Sequence, residues 1–564
     1  MKMKILEIDV KDKTSTQLDV PEKYKYLGGR GLTSTVVSAE VDPACHPLNE
    51  KNMLVIAPGL FAGSVLSSAN RLSAGAKSPL TGGIKEANSG GLAAYRLGRL
   101  GIKAIKIKGK GKGEFESAGI KISSSGVSFE DLSFIKGMTT YEAAKRLLER
   151  YGNKCAFLVI GPAGEIRLPT ACINVGDTEG EPCRNLGRGG LGAVMGSKGI
   201  KAIIIDDQGL KSPWKENDKV KQVIKKFARA LKEHPVTGEK FAKYGTVMTL
   251  LNVNSLGGLP TRNFTQGTFE DAEKIGAESL REKIANRGGM TAHSCMPGCV
   301  IQCSNKYVKK NGSPLVGSLD FETVCLLGAN IGISDLDQIA TLNRLCNDYG
   351  VDTMETGVTL GVMAEAGIFE YGNYKKIKGI VDGLGTGTPI GRILGSGAAV
   401  AGKVFGVERV PVVKDQGMAA YDPRAIKGMG ITYSMSPMGA DHTAGNAITL
   451  AVDHLDPEAQ IKPVRELHIN TMVLDTLGIC IFTGRVTLGN TDIVEDIIEA
   501  FFDHRITFEE LQKIAEENLK CEREFNRRAG ISADRLPQFM LEEQLPPNNT
   551  VYDIDMKELE SFYD

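Results

Sequence analysis

The fold class is decided in the stretch KAIIIDDQGLKSPWKENDKVKQVIKKFARALKEH, residues 201–234, where the hydrophobic pattern of the chain changes. Its first residues form a β-branched run that is typical of a buried strand. The segment DDQGLKSPWKEND (206–218) is polar and contains Gly and Pro, which predicts a linker. From about residue 215 apolar residues recur three and four positions apart, which predicts amphipathic helices. The chain therefore divides into a strand-rich part and a mostly helical part.

The same two patterns extend to both ends of the chain. Before the linker, short β-branched runs alternate with Gly, Ser and Asp turns: KILEIDV, MLVIAPG, KAIKIKGK, GIKISSSG, AFLVIGPAG and KAIIIDD. After it, helical periodicity continues in LDQIATLNRLCNDYG, DIVEDIIEAFFDH and FEELQKIAEENLK. Pro and β-branched residues interrupt that periodicity in VERVPVVKDQG (407–417). We predict an α+β fold with a β-rich first domain, 1–207, and two mostly α-helical domains, 208–412 and 413–564.

The composition of the chain excludes several classes of protein. The 564 residues are 42% hydrophobic and 24% charged, which excludes a disordered chain and a small disulfide-stapled fold. Lys and Arg number 68, as do Asp and Glu, so the net charge is zero and nucleic acid is not an expected partner. The charged start MKMKILEIDVKDK and the lack of any run of about 20 apolar residues predict a cytoplasmic protein without membrane insertion.

Three of the eleven cysteines are bunched. They lie in HSCMPGCVIQC, residues 293–303, as Cys295, Cys299 and Cys303, with a Pro-Gly bend between the first two. Three thiolates at this spacing can converge on one centre, and an iron–sulfur cubane takes four, one of them often distant in sequence. Cys480 is the candidate fourth ligand. Two alternatives are small apolar residues on a buried helix and a zinc site that uses His293, although paired C-x2-C knuckles are absent.

Two glycine-rich loops lie in the strand-rich part. The first, NLGRGGLGAVMGSK (185–198), offers closely spaced amides that could surround an anion, with Arg188 adding charge. The second, SANRLSAGAKSPLTGGIKEANSGG (68–91), is dense in hydrogen-bonding groups. Tight turns alone would explain one such loop, but two of them beside a cysteine cluster favour a large polar cofactor with phosphates. No G-x-G-x-x-G follows a predicted strand, which disfavours conventional NAD binding.

Two segments share the pattern [D/N]-x-x-G-[I/V]-[D/C]. They are NDYGVD (347–352) and DTLGIC (475–480). An acceptor just before a Gly turn can receive hydrogen bonds from the N–H edge of a pterin, and two copies suggest two similar ligand halves. Taken alone, each segment is also an ordinary helix C-terminus that ends at Gly.

Together these motifs resemble the tungsten-containing aldehyde:ferredoxin oxidoreductase family along nearly the whole chain. The resemblance also rests on LGGRGL (27–32), KSPLTG (77–82), ANSGG (87–91) and YDPR (421–424). It implies a pterin-binding first domain and one tungsten (or molybdenum) ion held by two pyranopterins. It also implies a nearby [4Fe-4S] cluster and a Mg²⁺ ion that bridges the pterin phosphates.

The resemblance assigns roles to individual residues. Cys295, Cys299, Cys303 and Cys480 would hold the cluster, while Asn347 and Asp475 would anchor the two pterins. Arg71 would lie between cluster and pterin, and Asn88 and the backbone near Asn185 would bind Mg²⁺. The full cofactor-binding set is Arg71, Asn88, Arg184, Asn185, Gly187, Arg188, Gly189, Gly190, Asn347, Asp352, Asp475 and Gly478.

The catalytic candidates by the same resemblance are Glu322 and His442. A carboxylate could activate water or move a proton while an imidazole hydrogen-bonds the oxygen at the metal. The alternative interpretation makes Glu322 a helix cap and His442 a core histidine. The expected reaction converts an aldehyde and water to a carboxylate and passes electrons through the cluster to ferredoxin or a small iron–sulfur subunit. A homo- or hetero-oligomer is compatible with this role.

Two positions depart from the family pattern. The family spaces its first cysteines C-x2-C, whereas this chain has C-x3-C, so His293 is a rival of Cys295 as ligand. Asn347 stands where the family commonly has Asp, and either Asp348 or Asp352 is a candidate to compensate for the lost charge. Two other functions stay open: a related tungsten or molybdenum reductase, such as one acting on an aromatic thioester, and a non-catalytic iron–sulfur electron carrier.

Overall fold

The computed structural model describes residues 3–111, 115–215, 217–531 and 534–563. Twelve strands lie in the part before the linker: β1 (Lys4–Asp9), β2 (Thr14–Asp19), β3 (Leu54–Pro58), β4 (Leu72–Lys77), β5 (Ile84–Ser89), β6 (Ile102–Lys108), β7 (Ala118–Ser123), β8 (Gly126–Asp131), β9 (Ala156–Val159), β10 (Ile173–Val175), β11 (Arg184–Leu186) and β12 (Ile200–Asp206). Five helices accompany them: α1 (Gly29–Glu40), α2 (Ala93–Arg99), α3 (Thr140–Tyr151), α4 (Pro162–Glu165) and α5 (Leu191–Ser197).

These strands form two six-stranded mixed sheets. The first has the order β2-β1-β6-β3-β4-β5 and the second β11-β10-β9-β12-β7-β8. Each contains one parallel pair, β1 with β6 and β7 with β12, and is otherwise antiparallel. Helices α2 and α5 contact strands of both sheets, and one apolar core joins these helices to the two sheets. Central strands β3 and β9 are buried at every residue, and both are continuous hydrophobic runs, LVIAP and AFLV.

Strand register places polar side chains on one face. In the antiparallel pair β4–β5, Ser73 lies opposite Asn88 and Gly75 lies opposite Glu86. Glu86 and Asn88 are two residues apart on one strand and therefore point to the same side of the sheet. The face that carries them is the one that meets the helical part of the chain.

The second part of the chain is mostly helical. Its helices are α6 (Asp218–Glu233), α7 (Phe241–Tyr244), α8 (Leu250–Ser255), α9 (Ala272–Ile275), α10 (Ala277–Asn286), α11 (Phe321–Leu326), α12 (Leu336–Tyr349), α13 (Thr353–Glu365), α14 (Tyr374–Thr386), α15 (Pro389–Leu394), α16 (Ala398–Phe405), α17 (Lys427–Met435), α18 (Ile461–Leu477), α19 (Gly484–Thr487), α20 (Asp492–Phe502), α21 (Phe508–Arg528) and α22 (Gln538–Glu542). Two small antiparallel sheets interrupt them: β13 (Met290–His293), β14 (Ser304–Val308) and β15 (Pro314–Gly317), then β16 (Val412–Val413) and β17 (Gln416–Gly417).

The predicted α+β architecture is confirmed. Each of the six quoted β-branched runs contains most or all of a strand, and the quoted helical segments contain α6, α12, α20 and the first part of α21. One apolar core extends from Leu60 to Tyr563 and joins the helices of the second part to the first part. The division of that second part at 412/413 stays a prediction. Within the described residues, no helix has the length and apolar character needed to cross a bilayer.

Candidate functional site

Four cysteines from two distant segments face one another. Cys295 follows β13, Cys303 precedes β14, and Cys480 lies just beyond the end of α18. The loop before β4 ties the two segments together, because the Cys480 N–H donates to the Ser68 carbonyl at 2.8 Å. The Ser68 hydroxyl lies 3.4 Å from the Cys299 sulfur. The structure therefore brings the predicted quartet together across nearly 200 residues of sequence.

The electrostatics of the quartet reflect this proximity. Burial raises the pKa of Cys303 and of Cys480, and the Cys299 sulfur raises both further. Cys295 and Cys299 hydrogen-bond to each other, and this bond raises the pKa of Cys295 and lowers the pKa of Cys299. Arg184 opposes these effects at Cys295 and Cys303, and Arg71 opposes them at Cys480. The centre is thus buried, rich in sulfur and flanked by two cations.

The distances between the four sulfurs distinguish a site for an iron–sulfur cluster from a site for a single metal ion. Four thiolates around one zinc ion, each at about 2.3 Å from the metal, lie about 3.8 Å from one another. No three of these four sulfurs lie within 4.8 Å of one another. His293, the rival of Cys295, has its Nε2 3.1 Å from a Glu179 oxygen. The donor set therefore fits a larger iron–sulfur group better than a single zinc ion, and Cys295 faces this group.

The two segments predicted to bind pterins end two helices in the same way. Helix α12 ends at Tyr349 and α18 at Leu477, and each is followed by a glycine in the left-handed region. Gly350 has φ 72° and Gly478 has φ 67°, a conformation that glycine adopts without steric cost. The N–H of each glycine turns back to the carbonyl three residues earlier, that of Asn347 or Asp475.

Each of these glycines meets another glycine at the end of a strand in the first part. A methyl group on Gly478 would lie 2.1 Å from Cα of Gly59, which follows β3. A methyl group on Gly350 would lie 2.7 Å from the backbone nitrogen of Gly161, which follows β9. The two helix ends therefore approach the two sheets at backbone-to-backbone distance, once per sheet.

An asparagine from each sheet reaches the anchor residue of the matching helix. Asn185 donates to Asn347 Oδ1 at 2.9 Å, and Asn88 donates to Asp475 Oδ1 at 3.4 Å. Arg71 donates to Asn88, which places its guanidinium between Asn88 and Cys480. The site thus has two similar halves, as the paired motifs predict. The magnesium role of Asn88 and of the Asn185 backbone stays a prediction.

The two candidates for compensating Asn347 are both engaged elsewhere. Asp348 accepts from Arg344 at 2.9 Å. Asp352 caps α13 by accepting from the Met354 N–H at 2.9 Å, and it also accepts from Arg188. Neither carboxylate reaches Asn347 through a hydrogen bond among the described residues.

Arg188 fixes the glycine loop in place. Its guanidinium donates to Asp352 at 3.1 Å and to the carbonyl oxygens of Ala440 and Gly417, each at 2.6 Å. Glu355, fully buried, lies 3.5 Å from the same group. Because the protein uses these donors, Arg188 positions the loop, and its predicted contact with a phosphate stays a prediction.

The remaining loop glycines differ in how closely they are packed. A methyl on Gly189 would lie 2.3 Å from the Lys85 side chain, and one on Gly190 would lie 2.3 Å from the Pro169 carbonyl. Gly187 is less crowded, because the atom nearest to such a methyl group, the Asn185 carbonyl oxygen, lies 3.9 Å away. The loop therefore combines two tightly held positions with one that leaves room for a ligand.

Sequence reasoning missed three charged residues at this site. Lys85 forms a buried ion pair with Asp441 at 2.7 Å. Burial and the neighbouring Asp475 raise the pKa of Glu86 to about 8, and its Oε1 has no hydrogen-bond partner. Arg30 donates to Asp475 and Glu522. The signal for Glu86 was available, since it lies two residues before Asn88 on a strand.

The two catalytic candidates meet on the helical side. Glu322, in the first turn of α11, accepts from the Ala420 N–H at 2.7 Å. Its other oxygen lies 3.4 Å from His442 Nε2. Burial raises the pKa of Glu322, and the neighbouring His442 opposes that effect. Tyr421 packs over His442, with ring centroids 6.1 Å apart.

Three buried polar atoms at this site have no hydrogen-bond partner among the described residues. They are Oε1 of Glu322, Nδ1 of His442 and Oε1 of Glu86. Unpaired buried polar atoms are costly, so their concentration at one site points to a polar ligand that pairs with them. Together with the paired Asn and Gly positions and the four sulfurs, these atoms fit a large pterin group beside an iron–sulfur cluster.

Comparisons with known proteins cover nearly the whole chain. Residues 5–207 match the family model "Aldehyde ferredoxin oxidoreductase, N-terminal domain", and residues 222–564 match "Aldehyde ferredoxin oxidoreductase, domains 2 & 3". The tungsten-containing aldehyde ferredoxin oxidoreductase of Pyrococcus furiosus is 31% identical, over 95% of this chain and 90% of that protein. The enzyme of the same description from Pyrococcus abyssi is 32% identical, over 99% and 94%.

More distant matches have other functions. The WOR-like subunit of an aliphatic sulfonate oxidoreductase from Pyrococcus furiosus is 26% identical, over 79% of this chain and 75% of that protein. A solved active-site complex BamBC of benzoyl coenzyme A reductase has a TM-score of 0.81 at 18% identity, covering 100% of this chain and 94% of that chain. That likeness shows the fold.

Proposed function

The chain belongs to the aldehyde ferredoxin oxidoreductase family of tungsten-containing oxidoreductases, and we propose that it oxidises aldehydes to carboxylates. The observation that carries this proposal is the facing pair of Glu322 and His442, each with a buried atom that lacks a hydrogen-bond partner. The reaction needs one oxygen from water and releases two electrons and protons. The chain must therefore supply a proton acceptor and a hydrogen-bond donor beside the reacting carbon.

The residues that would hold the cofactors are those of the two similar halves. Asn347 and Asp475 would face the two pterins, Asn88 and Asn185 would lie beside them, and the four cysteines would bind a [4Fe-4S] cluster. When bound, the bis-pyranopterin tungsten centre supplies two-electron chemistry and the cluster supplies one-electron transfer. Asn88 and the backbone near Asn185 would hold a Mg²⁺ ion, which would supply positive charge for the cofactor's phosphates.

Glu322 is the proton acceptor in this proposal. The Ala420 N–H holds one carboxylate oxygen, so the other oxygen is directed toward His442 and the substrate. Burial raises the pKa of Glu322, which makes the carboxylate a stronger base than an exposed glutamate. His442 would donate to the aldehyde oxygen, and Tyr421 beside it would exclude bulk water from the imidazole.

Electrons would leave through the cysteine segment. Gly298 is exposed between Cys295 and Cys299, and neighbouring Val65 is 64% exposed. The cluster site is therefore close to the surface on this side. We assign ferredoxin or a small iron–sulfur subunit to this face as the acceptor, in the reducing cytoplasm, where the cysteines outside the proposed cluster stay reduced thiols.

A dye-linked assay tests the proposed reaction. Anaerobically purified holoenzyme should reduce a viologen dye in the presence of simple aldehydes. Glu322→Gln should retain tungsten and iron yet lower kcat by about 10²-fold or more, since the proton acceptor is lost. Glu40→Gln is the control, because Glu40 lies away from this site and its partner Lys106 keeps a second carboxylate, Glu7. Unchanged kcat in Glu322→Gln would remove Glu322 from the mechanism.

The same assay distinguishes aldehyde oxidation from the alternative function within the family. A holoenzyme that contains tungsten but oxidises no aldehyde would favour a reductase driven by partner subunits, acting for example on an aromatic thioester. The full-length fold similarity to BamBC is compatible with that alternative. Iron without tungsten would instead favour the electron carrier.

A further inference from the structure

The turn that carries His442 is capped by the side chain of Asp441. His442–Ala444 forms a single 3₁₀ turn that directly follows Asp441. Asp441 Oδ1 accepts the Thr443 N–H at 3.0 Å and the Thr443 hydroxyl at 2.7 Å. Within the turn, the Ala444 N–H donates to the Asp441 carbonyl at 3.3 Å. Because this bond is long and the turn is short, contacts from other parts of the chain must fix its direction.

Lys85 on β5 holds the other oxygen of Asp441. The Lys85 Nζ lies 2.7 Å from Asp441 Oδ2, and the lysine side chain is fully buried. The same ammonium group donates to the Met438 carbonyl at 3.2 Å, so it binds two points of the segment before His442. The Lys85 side chain packs directly on Gly189, where a methyl group would lie 2.3 Å from it. A lysine of the first sheet therefore reaches across the glycine loop to the turn.

Arg188 holds the residue before Asp441 and adds a second positive charge. Its guanidinium donates to the Ala440 carbonyl at 2.6 Å, and Gln416 donates to the same oxygen at 3.2 Å. Burial raises the pKa of Asp441, but Lys85 and Arg188 lower it well below its usual range. Burial lowers the pKa of Lys85, and Asp441 opposes that effect. Asp441 is therefore a charged group whose position is set by two cations from the first part of the chain.

The His442 ring is not fixed by hydrogen bonds among the described residues. Its Nε2 lies 3.4 Å from Glu322 Oε1, and neither that oxygen nor His442 Nδ1 has a hydrogen-bond partner. Tyr421 packs against the ring, with centroids 6.1 Å apart. The direction of the imidazole therefore depends on the backbone of the turn, and hence on the groups that hold Asp441.

We propose that Lys85 is a positioning residue for His442 and that it acts through Asp441. The lysine holds Asp441, Asp441 caps the turn, and the turn directs the imidazole toward Glu322. A displacement of about 1 Å in such a group can lower a rate by about 10²-fold. The kinetic consequence rests on the proposed aldehyde oxidation, whereas the placement of His442 does not.

Lys85→Met tests this placement. Methionine retains an apolar stem on Gly189 but cannot bind Asp441. In crystal structures of anaerobically purified holoenzyme, the distance from His442 Nε2 to Glu322 Oε1 should increase by about 1 Å or more over wild type. In the dye-linked assay, kcat per tungsten should fall by about 10-fold or more while KM changes by less than about 2-fold, because the lost interaction acts in the transition state.

Asp441→Asn is the second variant. It keeps an oxygen for the cap on Thr443 but removes the charge that Lys85 holds, so the same shift of His442 and the same fall in kcat are expected. Where Lys85→Met does not fold, this variant supplies the crystallographic comparison.

The double variant Lys85→Met/Asp441→Asn tests whether Lys85 acts through Asp441. Both single changes break the same contact, so their losses of kcat should not multiply. We expect the double variant to lose no more than the larger single loss. Losses that multiply would show that Lys85 acts on the site by another route, and would overturn the proposal.

Lys201→Met is the matched control. The Lys201–Glu165 and Lys85–Asp441 pairs are equally buried, with side chains 0% and 9% exposed in each. Lys201 joins β12 to α4 within the first part of the chain. We expect a lower unfolding midpoint in both lysine variants, but kcat per tungsten should fall only in Lys85→Met.

Two results would contradict the positioning role. One is an unchanged distance between His442 and Glu322 in Lys85→Met, and the other is an equal loss of kcat per tungsten in Lys201→Met. A wild-type holoenzyme that oxidises no aldehyde would contradict the proposed function instead. The crystal structures would then still decide whether Lys85 positions His442.

Discussion

At the scale of single residues, the site depends on groups whose ordinary chemistry is changed by burial. Glu322 illustrates this, because one of its oxygens is held by a backbone N–H and the other has no hydrogen-bond partner. Burial favours the neutral carboxyl, whereas the adjacent imidazole favours the charged form. The result is a carboxyl that binds a proton more tightly than an exposed glutamate.

The raised pKa of Glu322 determines how the activity should depend on pH. The proposed mechanism needs the Glu322 carboxylate, so activity should fall as the pH decreases through its pKa. Because that pKa is raised, the acid limb of log kcat/KM against pH should lie above the ordinary range of glutamate. The measurement is a pH profile with a dye acceptor, and the residual activity of Glu322→Gln should lack this limb. An acid limb unchanged in Glu322→Gln would assign it to another group.

Sequence patterns predicted the cysteine quartet but not the partners of Arg188. The three bunched cysteines and Cys480 each follow from local motifs, and the structure places them around one centre. From the sequence alone, Arg188 is predicted to bind a phosphate, because it lies within a glycine-rich loop. Its actual partners, Asp352 and Gly417, are more than 160 residues away, and only the assembled fold brings them to its guanidinium.

At the scale of elements, two helix ends and two strand ends define the two halves of the site. Each helix ends at a left-handed glycine, and each glycine touches another glycine that follows a strand. No side chain could occupy these contacts without separating helix from sheet. The glycine contacts therefore hold each anchor residue, Asn347 or Asp475, at a fixed height over its sheet.

Gly478→Ala tests this arrangement. The left-handed backbone costs about 1 to 2 kcal/mol for alanine, and overlap with Gly59 adds about 1 to 3 kcal/mol. We expect a lower thermal unfolding midpoint and reduced tungsten content. Gly530→Ala is the control, because its φ of 83° imposes similar strain but nothing lies within 4 Å of the added methyl. Equal effects of the two variants would show that the glycine contact has no role.

Secondary structure was predicted well where the period was clear. The β-branched runs and the amphipathic segments each became the expected element. The small sheet β13–β15 was not predicted, since its strands have four or five residues and alternate too briefly to show a period of two. That sheet matters, because it holds both ends of the cysteine segment.

At the scale of the whole molecule, buried ion pairs join the first part of the chain to the last helices. Arg30 on α1 pairs with Glu522 on α21 through two hydrogen bonds of 3.0 and 2.8 Å. The Arg30 side chain is 3% exposed and that of Glu522 is fully buried. Arg30 also donates to Asp475, so the same pair supports one half of the proposed cofactor site.

Glu522→Ala should therefore destabilise the protein strongly. Removing one partner of a buried ion pair leaves an uncompensated charge, which costs about 3 to 5 kcal/mol. Thermal unfolding should show a clearly lower midpoint. Glu516→Ala on the same helix is the control, because its pair with Arg465 is partly exposed and such pairs contribute about 1 kcal/mol or less. Similar midpoints for both variants would contradict the bridging role of Arg30.

Local sequence patterns do not predict long-range ion pairs of this kind. The motif LGGRGL contributed to the family resemblance, but nothing local indicates that Arg30 meets Glu522, 492 residues away. The zero net charge shows that opposite charges balance, yet not which of them pair. The order of the two sheets depends in the same way on contacts between distant strands.

Elemental analysis of anaerobically purified protein tests the central claim, that two matched halves and four cysteines hold a tungsten pterin and an iron–sulfur cluster. We expect about four iron atoms and about one tungsten atom per chain. Molybdenum in place of tungsten would keep the site and change the metal. Iron without either metal, from cells supplied with both, would contradict the account and leave only an electron carrier.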